Sequence, residues 1–226
     1  MIDLRQRATE PESLDLGVPE DEAIRSLRDL RRVNRWLGGR RSLLAAIRPF
    51  LAGGGRLLDV GCGSADLPAE VVARSPVPVT AVGVDVKLLH FRQAPATVRR
   101  VVGDARALPF PPASFDVVAA SLFLHHFDGP EAAALLAALF RLARRALIVN
   151  DLHRGLVPFV FARSVFPFAF ESRVSVEDGL LSIRRAFRPR ELRQAFAEAA
   201  IPHVRIERRF PYRLVAVAEV GHGAKR

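Results

Sequence analysis

The sequence predicts an α/β fold in which a mostly parallel sheet is covered by helices on both faces. From residue 56 onward, short and almost continuously apolar segments alternate with segments of helical character. The last two strand-like segments differ, because only a turn around Pro211 separates them. Parallel neighbours need a long crossover, whereas antiparallel neighbours can be joined by a short turn. We therefore predict seven strands, of which the final one is antiparallel.

Each predicted element has its own signal along the chain. Leu27, Leu30 and Val33 recur at helical spacing in a charged N-terminal segment, which Gly38-Gly39 ends. Apolar runs bounded by turn residues predict strands at 56–60, 79–84, 98–102, 115–120, 146–149, 204–210 and 212–220. The segments with helical spacing around and between them predict helices at 42–50, 67–74, 130–143 and 190–200.

The composition fits one cytoplasmic domain. The chain has 226 residues, half of them hydrophobic, which suffices to bury a single core. No stretch of about 18 uncharged apolar residues predicts a membrane-spanning helix. The N-terminus lacks the basic-then-apolar order of a secretory signal. The single cysteine, Cys62, cannot form an internal disulfide and is typical of a reducing compartment.

The net charge of +10 comes almost entirely from arginine, because the only lysines are Lys87 and Lys225. Such a charge suits nucleic acid, anionic lipid or an acidic substrate. The arginines are spread along the whole chain, however, which favours solvated helix surfaces over one basic binding face. We therefore expect no nucleic-acid partner, and peripheral membrane contact stays open.

A glycine turn follows the first predicted strand. Asp59 is followed by Gly61, Cys62 and Gly63, and the lack of side chains at the glycines lets a ligand approach the backbone. The next helix would present unpaired N–H groups to that ligand. A dinucleotide-binding turn would need a third glycine at position 66, where Asp66 would oppose a pyrophosphate.

Three later strand ends complete a pattern. Asp85-Val86 ends the second strand, 24 residues after Gly61, Asp104-Ala105 follows the third, and Ser121 follows the fourth. In this order, the glycine turn and the strand ends resemble the motifs of the class I methyltransferases, which use S-adenosylmethionine (SAM). The resemblance covers roughly residues 40–220.

The resemblance implies a Rossmann-like fold and assigns parts of the SAM site. Asp59, Gly61, Cys62 and Gly63 would surround the amino-acid part, and Asp85 with Val86 would bind the ribose. Asp104 and Ala105 would bind adenine, and Ser121 would lie beside the methionine part. Arg35 is a further candidate, for the SAM carboxylate. The predicted parts are a helical cap (1–50), a SAM-binding core (51–154), a substrate lid (155–185) and a C-terminal helix with closing strands (186–226).

The acceptor is predicted to be a small apolar or aromatic molecule. The motifs of amino-methylating enzymes for bases and of cysteine-dependent RNA methyltransferases are absent, and residues 156–170 are rich in phenylalanine. Segments 34–40, 150–154 and 178–187 resemble bacterial methyltransferases found near polyketide and quinone pathways. We predict O-methylation of a phenolic or polyketide-like molecule. The alternatives are C-methylation of a quinone precursor, RNA methylation, or a SAM-binding regulator without turnover.

Two histidines are candidates for the base that would assist a phenol. His153 and His126 both follow strand ends, at the edge of the sheet where open α/β folds bind ligands. His153 is preferred because it adjoins the lid, and His125 is expected to be packed away. A metal is not expected, since Asn150-Asp151 matches only half of the magnesium pattern and Ser121 fails the other half. The chain is expected to be a monomer or a homodimer.

Overall fold

The structure, a computed structural model, describes residues 3–221 and contains one seven-stranded sheet. The strand order is β3-β2-β1-β4-β5-β7-β6, and all strands run parallel except β7, which is antiparallel to both of its neighbours. The predicted fold class is therefore confirmed. The strands are β1 (Gly55–Val60), β2 (Val79–Asp85), β3 (Val98–Val102), β4 (Phe115–Ser121), β5 (Ala143–Leu152), β6 (Val204–Arg209) and β7 (Arg213–Glu219).

Eight α-helices in the described range surround this sheet. No helix within residues 3–221 combines the length and apolar character needed to cross a membrane. The helices are α1 (Ser13–Leu16), α2 (Glu20–Trp36), α3 (Gly39–Ile47), α4 (Asp66–Arg74), α5 (Gly129–Leu142), α6 (Leu156–Ala169), α7 (Arg173–Arg185) and α8 (Pro189–Glu198). Short 3-10 turns lie at Arg48–Leu51, Leu88–Gln93, Ala105–Ala107 and Leu124–His126.

The core lies in two apolar layers, one on each face of the sheet. Alternate residues of β1 point to opposite faces, so Leu58 joins the layer formed with α5 and α8, and Leu57 joins the layer formed with α3 and α4. Every residue of the central strand β4 is buried. Burial on both faces explains why the strands are almost continuously apolar in sequence.

Strand β5 is longer than the sequence predicted. The apolar run ends at Val149, but the strand continues through the polar pair Asn150-Asp151 to Leu152. These residues pair with β7, which satisfies the backbone polar groups and keeps the chain extended. This extension carries Asp151 to the carboxyl edge of the sheet.

The region predicted as a lid forms two helices between β5 and α8. Phe159, Ala162 and Phe166 of α6 pack against Ile183 of α7. Ser172 caps the N-terminus of α7, and its hydroxyl accepts the N–H of Ser175. Helices α1 and α2 of the predicted N-terminal cap contact α7, whereas α3 packs on the sheet against β5 and β7. Residues 1–2 of the cap and residues 222–226 of the C-terminal part fall outside the described range.

Candidate active site

A cavity of about 500 Å³ opens at the carboxyl edge of the sheet, beside the neighbouring strands β1 and β4, where the strand order reverses its direction. Ligands of open α/β folds bind at this switch point. Helix α2 and the lid helices cover it. Ten of the twelve predicted site residues line it, and these are Asp59, Gly61, Cys62, Gly63, Asp85, Val86, Asp104, Ala105, Ser121 and His126. Their individual ligand contacts stay predictions.

The glycine turn has left-handed backbone. The φ angles of Gly61 and Gly63 are +67° and +54°, and Ala65 has a φ of +53° just before α4. A Cβ atom at Gly61 would lie 2.2 Å from the ring of Phe123. At Gly63 the nearest atom, on Leu27, would be 3.7 Å away. The turn thus needs glycine at 61 for space as well as conformation.

Asp85 is held in place by the turn that it supports. Its Oδ2 accepts the N–H of Gly63 at 2.9 Å, and its Oδ1 accepts the N–H of Lys87 at 3.0 Å. His90 Nδ1 lies 3.0 Å from Oδ1. The carboxylate is buried yet lines the cavity, with lone pairs left for a ligand hydroxyl.

Asp104 occupies a more exposed rim of the cavity. Its carboxylate accepts two bonds from the Arg106 guanidinium, at 3.0 and 2.6 Å to Oδ2, and also accepts the Arg106 backbone N–H. The hydrogen bonds from the Arg106 side chain and backbone lower the pKa of Asp104. A ligand amino group at Asp104 would share this carboxylate with Arg106.

Asp59 lies at the bottom of the cavity, 2% exposed, and neither carboxylate oxygen has a hydrogen-bond partner among residues 3–221. Burial, followed by the charges of Asp66 and Asp85, raises its pKa well above the usual range. A buried carboxylate without a hydrogen-bond partner is stabilised by an approaching cation or N–H donor. SAM carries an ammonium and a sulfonium, so the residues present fit that cofactor.

Cys62 is unsuited to nucleophilic chemistry. Burial, with the charges of Asp59 and Asp85, raises the pKa of its thiol. Because the thiolate is the reactive form, the thiol is inert here. Cys62 therefore acts as a small residue of the turn.

Two adjacent histidines lie just beyond the end of β4. His125 Nδ1 lies 2.7 Å from Asp151 Oδ1, and His126 Nδ1 lies 2.8 Å from Asp15 Oδ2. The opposite ring atoms face Glu12, whose oxygens lie 3.4 Å from His125 Nε2 and 3.9 Å from His126 Nε2. His125 is packed, as expected, but it lines the cavity rather than turning away from it.

The carboxylates determine the charge of His125. Burial acts to lower its pKa, but the charge of Asp151, the hydrogen bond to Asp151 and the charge of Glu12 raise the pKa to about 9. Burial acts to raise the pKa of Asp151, yet the charge of His125 lowers it. Without another cation present, this cluster is an ion-paired network at neutral pH.

The structure corrects the prediction for Arg35. Its side chain is exposed and does not line the cavity. Helical spacing explains the difference, because α2 turns Leu27, Arg31 and Asn34 toward the cavity and places Arg35 on the outer face. Arg31 donates to Ser64 Oγ at 2.8 Å and is the arginine of α2 that lines the site.

The structure also corrects the prediction for His153. Leu152 lines the cavity, but His153 does not. Burial, with the charges of Arg208 and Arg188, lowers the pKa of His153. It therefore lies among arginines outside the cavity, and His126 is the member of the predicted pair that faces the ligand space.

Glu12, Asp15 and His125 are site residues that the sequence interpretation missed. The pairing of Asp15 with His126 and of Asp151 with His125 joins distant parts of the chain. No local spacing signals such contacts. The polar residues Asn150-Asp151 after an apolar strand were the one available signal.

A seven-stranded sheet of this order, with a glycine turn and acidic strand ends at a common cavity, has the arrangement of the class I SAM-dependent methyltransferase fold. The comparisons with known proteins agree. Residues 57–146 match the family model described as a methyltransferase domain. This part of the chain is thus similar to a methyltransferase domain, and SAM is its cofactor.

The similar proteins include several methyltransferases. The chain is 41% identical over 90 residues to 27-O-demethylrifamycin SV methyltransferase from Amycolatopsis mediterranei (strain S699), a match that covers 37% of this chain and 33% of that protein. The chain thus spans about a third of this curated relative. Plantazolicin methyltransferase BpumL, solved with a monoazolic desmethylPZN analog and SAH, is 14% identical with a TM-score of 0.66, covering 85% of this chain and 88% of that one. Human N-acetylserotonin methyltransferase with SAM is 15% identical with a TM-score of 0.65, covering 94% and 60%. The structural likenesses show the fold.

Proposed function

We propose that this protein transfers the methyl group of SAM to a small lipophilic acceptor, by O-methylation of a phenolic or polyketide-like hydroxyl, in the cytoplasm. One observation carries the proposal. Next to the predicted SAM residues, the lid side of the cavity is lined by apolar side chains. They are Pro158, Phe161, Ala162, Phe166, Phe170 and Ile183.

The relatives support a small acceptor. One curated relative is named for methylation of 27-O-demethylrifamycin SV, and one structural neighbour was solved with a desmethylPZN analog. These names describe those proteins. They agree with an apolar cavity beneath two lid helices, which would bury a lipophilic molecule.

The residues of this chain would act mainly by positioning. SAM, when bound, supplies an electrophilic methyl group on its sulfonium. The glycine turn and Asp85 hold the cofactor, while Phe161 and Phe166 hold the acceptor and exclude water. His126 lies at the polar end of the cavity, where it would contact the acceptor hydroxyl and favour its ionisation.

Methyl-labelled SAM tests this proposal. We expect purified protein to label the organic-soluble fraction of a lysate of the source cell, and the ¹³C shift of the product methyl separates O- from C-methylation. His126→Ala should lower the rate at least tenfold with SAM affinity unchanged, since a positioned general base contributes about 10²–10⁴-fold. His153→Ala, outside the cavity, is the matched control and should retain full activity.

Other outcomes would contradict the proposal in distinct ways. Label in RNA would mean that the basic surface binds the acceptor. Label on carbon would indicate C-methylation of a precursor such as a quinone ring. SAM binding without any labelled product would indicate a regulator. An equal loss of methyl-transfer rate in His126→Ala and His153→Ala would show that His126 has no catalytic role of its own inside the cavity.

An exposed apolar surface favours peripheral membrane contact as a source of lipophilic acceptor. Phe168 and Phe210 are each 91% exposed and Trp36 is 66% exposed. They lie on the lid side, where Phe161 of α6 contacts Tyr212 and where a Cβ atom added at Gly38 would lie 2.7 Å from the carbonyl oxygen of Phe210. The exposed arginines near them in sequence suit anionic headgroups, and these are Arg35, Arg163 and Arg208.

Vesicle sedimentation tests this contact. The protein should bind vesicles containing phosphatidylglycerol and bind phosphatidylcholine vesicles more weakly. The double substitution Phe168→Ser with Phe210→Ser should lower binding about tenfold, because each ring loses part of the roughly 1.5–3 kcal/mol of full burial. Val102→Ser, an exposed apolar position on the opposite edge strand β3, is the control. Equal binding by all variants, or a stable homodimer through these rings, would contradict a lipid contact.

A further inference from the structure

Three potential metal ligands converge at the polar end of the cavity. They are the carboxylate of Glu12 and the imidazoles of His125 and His126, and one ligand atom from each lies within 4.8 Å of the others. All three residues line the cavity. Glu12 comes from the segment before α1, whereas the histidines follow β4. Two distant parts of the chain thus bring a two-histidine, one-carboxylate set together.

The Nδ1 atoms of both histidines are already engaged. Asp151 lies 2.7 Å from the Nδ1 of His125, and Asp15 lies 2.8 Å from the Nδ1 of His126. Histidines that bind a metal through Nε2 usually donate Nδ1–H to a carboxylate, which fixes the ring and its tautomer. Both rings therefore have the outer hydrogen bond of a metal ligand, and both leave Nε2 directed at Glu12.

The distances favour a shared cation over direct hydrogen bonds. A charge-assisted N–H···O bond is about 2.7–2.9 Å long, but His125 Nε2 lies 3.4 Å from Glu12 Oε1. His125 is 2% exposed, and its Nε2 has no hydrogen-bond partner within the described chain. Two ligand atoms bound tetrahedrally to zinc at about 2.0–2.2 Å lie about 3.4 Å apart. The spacing of His125 and Glu12 matches that geometry.

The carboxylate of Glu12 is held in this position by other residues. Ser182 donates its hydroxyl to Glu12 Oε1 at 2.6 Å. Arg185 joins the two ligand-bearing segments, because it donates to the carbonyl of Glu10 at 2.8 Å and to that of His126 at 2.6 Å. The Glu12 carboxylate and the two ligand-bearing segments are thus held in place, which reduces the ordering that binding would require.

We propose that Glu12, His125 and His126 bind one divalent transition-metal cation of the zinc type, with its open position facing the acceptor cavity. Two histidines and a glutamate form a known catalytic zinc set. The magnesium pattern considered from the sequence involves Ser121 and Asn150-Asp151, which is a different donor set. The catalytic consequence rests on the proposed function, with His126 acting through the cation instead of as the free base. A hydroxyl oxygen of the acceptor that coordinates the cation would release its proton to solvent more readily.

Metal binding can be measured without reference to activity. Protein stripped with a chelator and exchanged into metal-free buffer should take up one Zn²⁺ per chain, and Co²⁺ should give the visible absorption bands of a low-symmetry site. Glu12→Gln and His126→Ala should each weaken Zn²⁺ binding at least tenfold. Asp15→Ala, which removes only the outer hydrogen-bond partner of His126, should weaken it about tenfold. His203→Ala, at an exposed histidine outside the cavity, is the control and should bind normally.

The opposite results would overturn the site. If folded wild-type protein takes up no Zn²⁺ or Co²⁺, the cluster is an ion-paired network only. If Glu12→Gln, folded by circular dichroism, binds as tightly as wild type, the ligand set is wrong. Full methyl transfer after chelation would overturn the catalytic consequence alone. Stoichiometric Zn²⁺ binding without methyl transfer would support the site while contradicting the proposed function.

Discussion

Replacing Gly61 with alanine should lower the free energy of unfolding by roughly 3 kcal/mol and abolish SAM binding. The left-handed φ of +67° costs a residue with a Cβ about 1–2 kcal/mol. The new Cβ would also lie 2.2 Å from the Phe123 ring, and overpacking of this kind costs about 1–3 kcal/mol. Relief of the clash would move the turn or the ring, both of which line the cavity. Denaturant unfolding and calorimetric titration with SAM measure the two effects.

Gly63→Ala is the matched comparison for this prediction. Its φ is +54°, but its Cβ would meet only Leu27 at 3.7 Å. It should therefore cost about 1 kcal/mol, the conformational part alone. Adding Phe123→Ala to Gly61→Ala should recover part of the loss, giving a double variant more stable than the sum of its parts. Equal destabilisation by Gly61→Ala and Gly63→Ala would contradict the packing argument.

The sheet was predictable because its information is local. A buried parallel strand must be apolar on both faces, so its sequence stands out without knowledge of its neighbours. The limit of this signal is visible at β5, where Asn150 and Asp151 continue the strand only because β7 pairs with them. The glycine turn was predictable for a similar reason, since left-handed backbone restricts residue choice at Gly61 and Gly63.

Helix α7 was missed because its buried face is polar. Asp178 accepts the N–H groups of Ser13 and Leu14, and Ser182 donates to Glu12. Such a helix has little apolar periodicity to detect. Its partners lie in the N-terminal segment, so the pattern makes sense only after the two are placed together.

The site residues show the same division between local and distant information. The candidates that end strands line the cavity, because the carboxyl ends of parallel strands meet at one edge. Arg35 directly follows Asn34, which lines the cavity. A helical pattern alone does not tell which face of α2 turns toward the cavity. The prediction for His153 relied on its position next to the lid in sequence, which does not determine the direction of its side chain. Glu12 had no local signal at all.

Asp85→Ala should weaken SAM binding by more than tenfold while leaving the sheet folded. The resemblance assigns Asp85 to the ribose hydroxyls, and charge-assisted bonds to a carboxylate contribute about 1.5–3 kcal/mol. The substitution would also leave the N–H groups of Gly63 and Lys87 without their acceptor, which loosens the turn that surrounds the cofactor. Asp85→Asn retains an acceptor oxygen but loses the charge, so its affinity should fall between the alanine variant and wild type. Asp104→Ala should cost less, because that carboxylate is exposed at the rim and already shared with Arg106. Calorimetric titration with SAM ranks the three variants, and a larger loss for Asp104→Ala than for Asp85→Ala would place the main polar anchor of the cofactor at β3 instead of β2.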